Sequence, residues 1–480
     1  MAKYEANLVV IGAGSAGLVS SYIAAAVKAK VILIERHKMG GDCLNTGCVP
    51  SKALLRSAKI ASYLKRAEEF GLEQVEAKPV FSKVISRVHD VIKLIEPHDS
   101  VERYTDLGVE CVSGEAQIVD KHTVMVGDRT ITTRNIIIAS GARPFVPPIE
   151  GLDQIDYLTS DTIWQLQKQP NRLIVLGGGP IGCELSQAFS KLGSQVTIVE
   201  MMGQLMGRED SDVAEFITNK FQSDGISVLT SHRAVKVITD NDGNKTLQCE
   251  SEQGVVDIPF DEILVAVGRK ANSEGLNLDK LGIKLRDNGT IETDEYLRTS
   301  VPNIFACGDI TGPYQFTHTA SHQAWYATVN SLFGFLKKFK VDYRVIPWAT
   351  FTMPEVARVG INETEAQQKG ISVEVTKYGI DDLDRAIADG EAHGFVKVIT
   401  VHGKDKILGV TIVGHHAGEL ISEYVLAMKY NIGLNKILGT IHLYPSLSEA
   451  NKYVAGNWKR EHQPITLLKW VKKLHNWRRR

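Results

Sequence analysis

The sequence has no long hydrophobic run, almost no net charge and few cysteines, and each lack excludes a class of protein. No apolar stretch approaches the ~18 residues that a membrane span needs. The longest, IIIAS (136–140) and LIVLGGGPIG (173–182), are strand-sized. With 55 basic and 56 acidic residues the net charge is −1, so no global field marks a nucleic-acid binder, and none is expected as a partner. Cysteine is scarce, six in 480 residues, at 43, 48, 111, 183, 249 and 307. In a chain of this size these do not make a disulfide framework, and a close pair points instead to catalysis or metal binding. The opening MAKYEANLVVIGAG enters a strand pattern by Asn7, which leaves no room for a signal peptide. A cytoplasmic location is the expectation. The 15 prolines are outnumbered by 41 glycines that cluster in short loops, as the turns of an α/β protein require. At roughly 100–200 residues per domain, the length suggests about three domains.

What is present starts with a glycine motif. NLVVIG (7–12) reads as a buried parallel strand. GAGSAG follows, with glycines at 12, 14 and 17, then a small-residue helix, then the strand KVILIE ending at Glu35. Gly12 makes the tight turn, Gly14 lets backbone approach a pyrophosphate, and Gly17 lets helix and strand pack closely. Glu35 is placed to take a ribose hydroxyl. The pattern recurs in RLIVLGGGPIG (172–182), with Gly177, Gly179 and Gly182, a helix, and a strand QVTIVE ending at Glu200. Two dinucleotide sites in one chain suggest two redox cofactors, a flavin and a nicotinamide. Glu200 would repel a 2′-phosphate and so favours NADH over NADPH.

Smaller signals agree. IIIASGARP (136–144) and EILVAVGRKAN (262–272) end in glycine turns, where backbone can cross near a cofactor or a domain junction. NIFACGDITG (303–312) ends in Gly308-Asp309, and that acid suits either sugar hydroxyls or a turn. From about residue 344 the pattern changes to antiparallel strands with short turns and helix-period segments, an α+β region.

The segment GGDCLNTGCVPSKALL (40–55) carries the chemistry. Four residues separate Cys43 from Cys48, enough for a bend that brings the sulfurs together. Two buried thiols or half a zinc site are the alternatives, although zinc needs about four ligands and no partner motif lies near. A disulfide lying against a flavin relays its electrons. Lys52, one helical turn beyond Cys48, would stabilise a thiolate or an anionic reduced flavin. Glu184, just past the second glycine motif, could pair with Lys52 or be a solvated helix acid.

Across residues 5–456 the chain resembles the class I pyridine nucleotide–disulfide oxidoreductases, which include dihydrolipoamide dehydrogenase, glutathione reductase and mercuric reductase. GAGSAG, GGDCLNTGCVPSK, GGGPIGCE, ACGDITG and YPSLSEA stand in family order. The resemblance implies two Rossmann-type domains plus an α+β dimerisation domain. These would be an FAD domain (1–150 and 280–343), an NAD domain (151–279) and an interface domain (344–457) of an obligate homodimer, followed by an extension (458–480). It implies that Cys48 contacts the flavin and Cys43 attacks the substrate, with Lys52 and Glu184 as the ion pair beside the flavin. Asp309 matches the acid at the ribityl chain, and Gly114 and Ala116 a stretch near the adenine. Ser140, Gly141 and Ala320 match further flavin contacts. Gly177, Gly179, Gly182, Glu200 and Gly268 match the NAD loop. The expected activity is NADH:disulfide oxidoreduction on a small disulfide or lipoyl-type substrate, with metal-ion or mercuric reduction and membrane-docked electron transfer to a protein partner as alternatives.

The chain departs from the family in two places. Relatives carry a catalytic His followed by Pro, with an orienting Glu five residues after the His. Here HLYPSLSEA (442–450) keeps Glu449 but holds Tyr444 at the His position, as mercuric reductases do. His442, two residues earlier, would lie about 6–7 Å away in an extended chain, so a packing role is expected for it. A phenol with pKa near ~10 is a poor base at neutrality, so weak turnover of dihydrolipoamide is expected. Residues 458–480 carry eight basic residues and one acidic, and Leu467, Trp470, Val471, Leu474 and Trp477 fall at helical spacing. Such a helix docks on a membrane surface or a partner, or else packs on the dimer and buries those residues.

Overall fold

The computed structural model describes residues 3–74 and 78–480. They form two compact units, Met1–Gly203 with Phe221–Asp342, and Gln204–Lys220 with Tyr343–Arg480.

In the first unit the strand Ala6–Ile11 pairs in parallel with Val31–Glu35 on one side and Arg129–Ile138 on the other. Leu8, Val9 and Val10 are fully buried, as strands covered on both faces must be, and this is why the sequence there is a continuous apolar run. Val109–Ser113 extends the parallel sheet beyond Val31–Glu35, and Ile304–Ala306 pairs in parallel with the far side of Arg129–Ile138. The long strand Arg129–Ile138 also pairs its first half antiparallel with Thr123–Val126. The return strand NIFACGDITG therefore completes the first nucleotide-binding sheet from about 170 residues away. A second parallel sheet orders Ser227–Leu229, Gln195–Val199, Arg172–Leu176, Glu262–Val265 and Leu158–Thr159. The fold class is thus α/β with two such sheets, each entered through strand, glycine loop, helix and strand.

In the second unit five antiparallel strands run in the order Pro347–Thr350, Glu355–Gly360, Ile407–Gly414, Phe395–Val401 and Val373–Gly379. The helices Ala417–Lys429 and Glu449–Glu461 pack on this sheet through Ile421, Tyr424, Val454 and Trp458. This is the α+β region expected from residue 344 onward. Two cations are buried in this unit. Lys397, fully buried, meets Asp210, Asp212 and Glu363 at 2.7–2.8 Å, and Arg358 meets Glu209 and Glu365. Asp210, Asp212 and Glu363 lie close enough together to suggest a metal cage, but the Lys397 ammonium holds all three. The chain ends in a helix, Ile465–Arg478. Among the described residues no helix is long and apolar enough to cross a membrane.

Candidate functional site

Cys43 sits in the short helix Gly41–Asn45, and Cys48 opens the 18-residue helix Cys48–Lys65. Gly40 and Gly41, both at positive φ, let the chain turn sharply into this segment. A thiol at a helix N-terminus faces the unpaired amides and the positive end of the helix dipole, which favour its anion. Both cysteines are free thiols. The Thr317 hydroxyl lies 3.4 Å from Cys48 Sγ. The Cys43 thiol donates to Cys48, and with help from Thr317 and Lys52, and against the cost of burial, Cys48 is lowered to about 6. The same hydrogen bond, with burial, drives Cys43 far up. The pair therefore holds one thiolate, on Cys48, and one protonated thiol, on Cys43. Burial pushes the other four thiols up, Cys249 to about 11 and Cys307 to about 12.

One turn along that helix, Lys52 Nζ lies 2.7 Å from Glu184 Oε2, and the Glu184 carboxylate is buried. The pair joins the cysteine helix to Pro180–Leu192, the helix of the second glycine motif. On the other side, Arg269 pairs with Asp42, the residue before Cys43, and its Nε lies 3.6 Å from Asp309 Oδ2 without a hydrogen bond. Burial pushes the Asp309 carboxyl up to about 6, with Arg269 opposing. The buried Thr319 hydroxyl also has no hydrogen-bond partner. A polyol or phosphate ligand would satisfy such orphaned groups.

The two glycine motifs are alike in atomic detail. Gly12 (φ +100°) and Gly177 (φ +105°) need the glycine backbone, and a Cβ on either would strike a carbonyl oxygen at 2.4–2.5 Å. A Cβ on Gly17 would lie 1.7 Å from the Gly12 oxygen, and one on Gly182 2.0 Å from the Gly177 oxygen. Gly14 and Gly179 cap their helices in extended conformation with no side-chain acceptor. The first-turn amides are thereby left to an anion such as a pyrophosphate. Glu35 accepts from the amides of Ala13 (2.6 Å) and His37 (2.8 Å), and Glu200 from those of Gly178 (2.6 Å) and Met202 (2.7 Å). Each carboxylate is fixed at the strand end with lone pairs to spare for a ribose. Gly114, at φ +144°, donates to the Glu35 carbonyl beside Ala116. Ser140 and Asn272 exchange hydrogen bonds of 2.9 Å next to Gly141. Ala320, buried in the helix Thr317–Phe333, lies under Gly308. Gly268 turns at φ +144° with open space where a Cβ would be. The residues present fit FAD at the first cradle and a pyridine dinucleotide at the second.

Tyr444 and Glu449 belong to the second unit. Tyr444 is exposed and donates to Asp384 Oδ2 at 3.0 Å, a bond that raises the phenol pKa further. Glu449 accepts from Ser446 N and from the Tyr453 hydroxyl. His442 has both ring nitrogens engaged, Nδ1 with the Thr440 carbonyl and Nε2 with Glu423, which also holds Asn451. It ties down the loop that carries Tyr444. The tail helix has no buried residue within the single subunit, so residues 467, 470, 471 and 474 are not buried against its own fold. Sequence reading missed Thr317 and Arg269. Arg269 stood inside the glycine-turn strand already singled out, but nothing local paired it with Asp42, 227 residues away.

The family model described as pyridine nucleotide-disulphide oxidoreductase matches residues 6–324, and that of the family's dimerisation domain matches residues 346–455. The chain is 34% identical over 451 residues to a mercuric reductase of Bacillus cereus, covering 94% of this chain and 71% of that one. It is 36% identical over 450 residues to a dihydrolipoyl dehydrogenase of Chlamydia muridarum, covering 92% and 94%. Among solved structures it is similar to the HOCl-induced flavoprotein disulfide reductase RclA of Escherichia coli, with TM-score 0.83, 26% identity and coverage of 94% and 99%. Its similarity to the Cu(II) complex of that protein has TM-score 0.84, again at 26% identity, covering 95% and 99%.

Proposed function

Since this chain belongs to the pyridine nucleotide-disulphide oxidoreductase family and is an FAD-dependent, homodimeric oxidoreductase, we propose that it carries two electrons from NADH to the Cys43–Cys48 pair and on to an external disulfide. Bound FAD supplies the two-electron link between nicotinamide and sulfur. The glycine cradle with Glu35 and Asp309 holds it, and the Gly177–Gly182 cradle with Glu200 holds the nicotinamide nucleotide. Glu200 accepts hydrogen bonds and repels a 2′-phosphate, which favours NADH.

Once reduced, the pair starts with Cys48 as thiolate and Cys43 as thiol. The Cys43 proton must leave before its sulfur attacks. Cys43 sulfur then displaces one thiolate from the substrate disulfide and forms a mixed disulfide. Cys48 sulfur attacks Cys43, re-forms the Cys43–Cys48 bond and expels the second substrate thiolate. Lys52, held by Glu184, and Thr317 keep Cys48 anionic meanwhile. Tyr444, its phenol pKa raised by Asp384, is a poor acceptor near neutrality for the Cys43 proton and, in the reverse direction, for the thiol proton of dihydrolipoamide, so free dihydrolipoamide is a slow substrate. The reading rests on the pairing of a low-pKa Cys48 with a protonated Cys43 beside the Lys52–Glu184 ion pair. Anaerobic addition of one NADH per subunit should expose two new thiols and a long-wavelength absorption band, both absent in Cys48→Ser. No new thiols in the wild-type enzyme would refute it.

A second reading is that the acceptor is a thiophilic metal ion. Tyr444 in place of His favours it, as do a mercuric reductase among the relatives and a Cu(II) complex among the similar structures. NADH oxidation dependent on Hg(II) or Cu(II), measured beside lipoamide and glutathione disulfide, separates the two readings. The tail helix is proposed as a peripheral docking element that brings the enzyme to a membrane or a protein partner.

A further inference from the structure

We infer that the helix Ile465–Arg478 docks on an anionic lipid bilayer and lies in the plane of its surface. The inference rests on the peripheral-docking reading and names the partner's chemistry. The preceding helix, Glu449–Glu461, is anchored by buried Trp458. His462 stacks on the Trp458 ring at 4.1 Å, and its Nε2 lies 3.0 Å from Glu374. Pro464 then ends that continuity, and the following 14 residues stand free of the core with none buried. The family's dimerisation model stops at residue 455, so the common fold does not require this helix.

Its larger apolar side chains gather on one arc, with Arg478 inside that arc and Ile465 and Leu468 among the cations. At about 100° per residue, Trp477, Trp470, Leu474, Leu467 and Val471 fall within an arc of about 120°. In the single subunit Trp470 is 65% exposed and Trp477 71%, an apolar surface of the kind that marks an interaction site. Lys469, Lys472, Lys473 and Arg479 lie on the remaining arc. Lys473 Nζ sits 5.0 Å over the Trp470 ring, at the border between the faces, where a long side chain reaches back toward headgroups. From Gln463 to the end there are six Lys and Arg and no Asp or Glu. Fourteen residues at about 1.5 Å each span about 21 Å, short of a ~30 Å hydrocarbon core. With six cations between Lys469 and Arg480, the helix fits the interface and not a crossing. Tryptophan is the side chain that settles at headgroup depth, and unopposed positive charge selects phosphatidylglycerol-type surfaces over zwitterionic ones.

The test compares the full-length holoenzyme with a variant lacking residues 464–480. Each is mixed with vesicles of pure phosphatidylcholine and with vesicles about one-third phosphatidylglycerol, a composition that carries a negative surface potential. Co-sedimentation and tryptophan emission report binding, and sedimentation velocity reports the dimer. The inference expects at least tenfold tighter binding to the anionic vesicles, a blue-shifted emission, release by high salt, and loss of all three on deletion. Dimer mass and NADH-driven thiol formation should be unchanged. Equal binding to both vesicle types overturns the choice of an anionic surface but leaves peripheral docking intact. Binding to neither overturns lipid docking altogether and leaves a protein partner as the only docking reading, and dissociation of the dimer on deletion reassigns the helix to the partner subunit.

Discussion

Replacing Cys43 by Ala removes the largest contributor to the low pKa of Cys48 and leaves Thr317 and Lys52 in place. With Cys48 lowered from 9.0 to about 6, thiolate outnumbers thiol by about 10:1 at pH 7. At 9.0 it would be outnumbered by about 100:1. The alkylation rate at pH 7 follows the thiolate fraction, so Cys43→Ala should slow labelling of Cys48 severalfold or more, up to about ninety-fold if Thr317 and Lys52 contributed nothing. In the wild type the first ionisation belongs to the coupled pair, and its midpoint should stand near 6. The assay is the pH profile of iodoacetamide labelling of anaerobically reduced enzyme, with the modified residue read by mass spectrometry. Cys111, Cys183, Cys249 and Cys307 are internal controls, since burial raises all four and keeps them unreactive below pH 8. Thr317→Val should give a smaller upward shift in the same direction. A wild-type midpoint near 9, or a Cys43→Ala profile that coincides with it, would refute the argument that one thiol holds the other ionised.

Tyr444→His should raise dihydrolipoamide turnover by roughly 10²–10⁴-fold, the usual worth of an acid–base group; unchanged steady-state rates would show that the missing imidazole is not what limits the enzyme. Gly17→Ala places a Cβ 1.7 Å from the Gly12 oxygen, so the purified variant should contain little or no flavin by absorbance while the wild type is yellow. Lys397→Met leaves Asp210, Asp212 and Glu363 without their buried cation, which should cost about 3–5 kcal/mol by chemical denaturation. The same cluster sets a pH window. Burial alone would raise Asp210 and Asp212, but Lys397 and the neighbouring donors hold both below the ordinary value. Their stabilisation is therefore complete above the unfolded carboxylate pKa near ~3.9 and is lost as pH falls through the lower folded values. Lys397 is raised, so its share is complete below ~10.4 and fades only above that. Wild type should lose thermal stability at the acid end, and Lys397→Met should have lost that part of the dependence.

The sequence by itself determined the parts whose geometry is local. Each glycine motif with its strand, helix and acid fits within about 30 contiguous residues, and the backbone conformations it demands are open only to glycine. The same holds for the Cys43–Cys48 spacing and for the apolar arc of the tail helix. Tertiary structure alone decided which distant groups meet these elements. Lys52 reaches Glu184 across 132 positions and Cys48 meets Thr317 across 269, because the order of strands in the sheets, not the spacing along the chain, brings those helices together. Pairing His442 with Glu423 needed the packing of Ala417–Lys429 against the loop that follows it. That the tail's apolar stripe is left uncovered by its own subunit also needed the fold, because a helical period records which residues share a face but not whether anything packs against it.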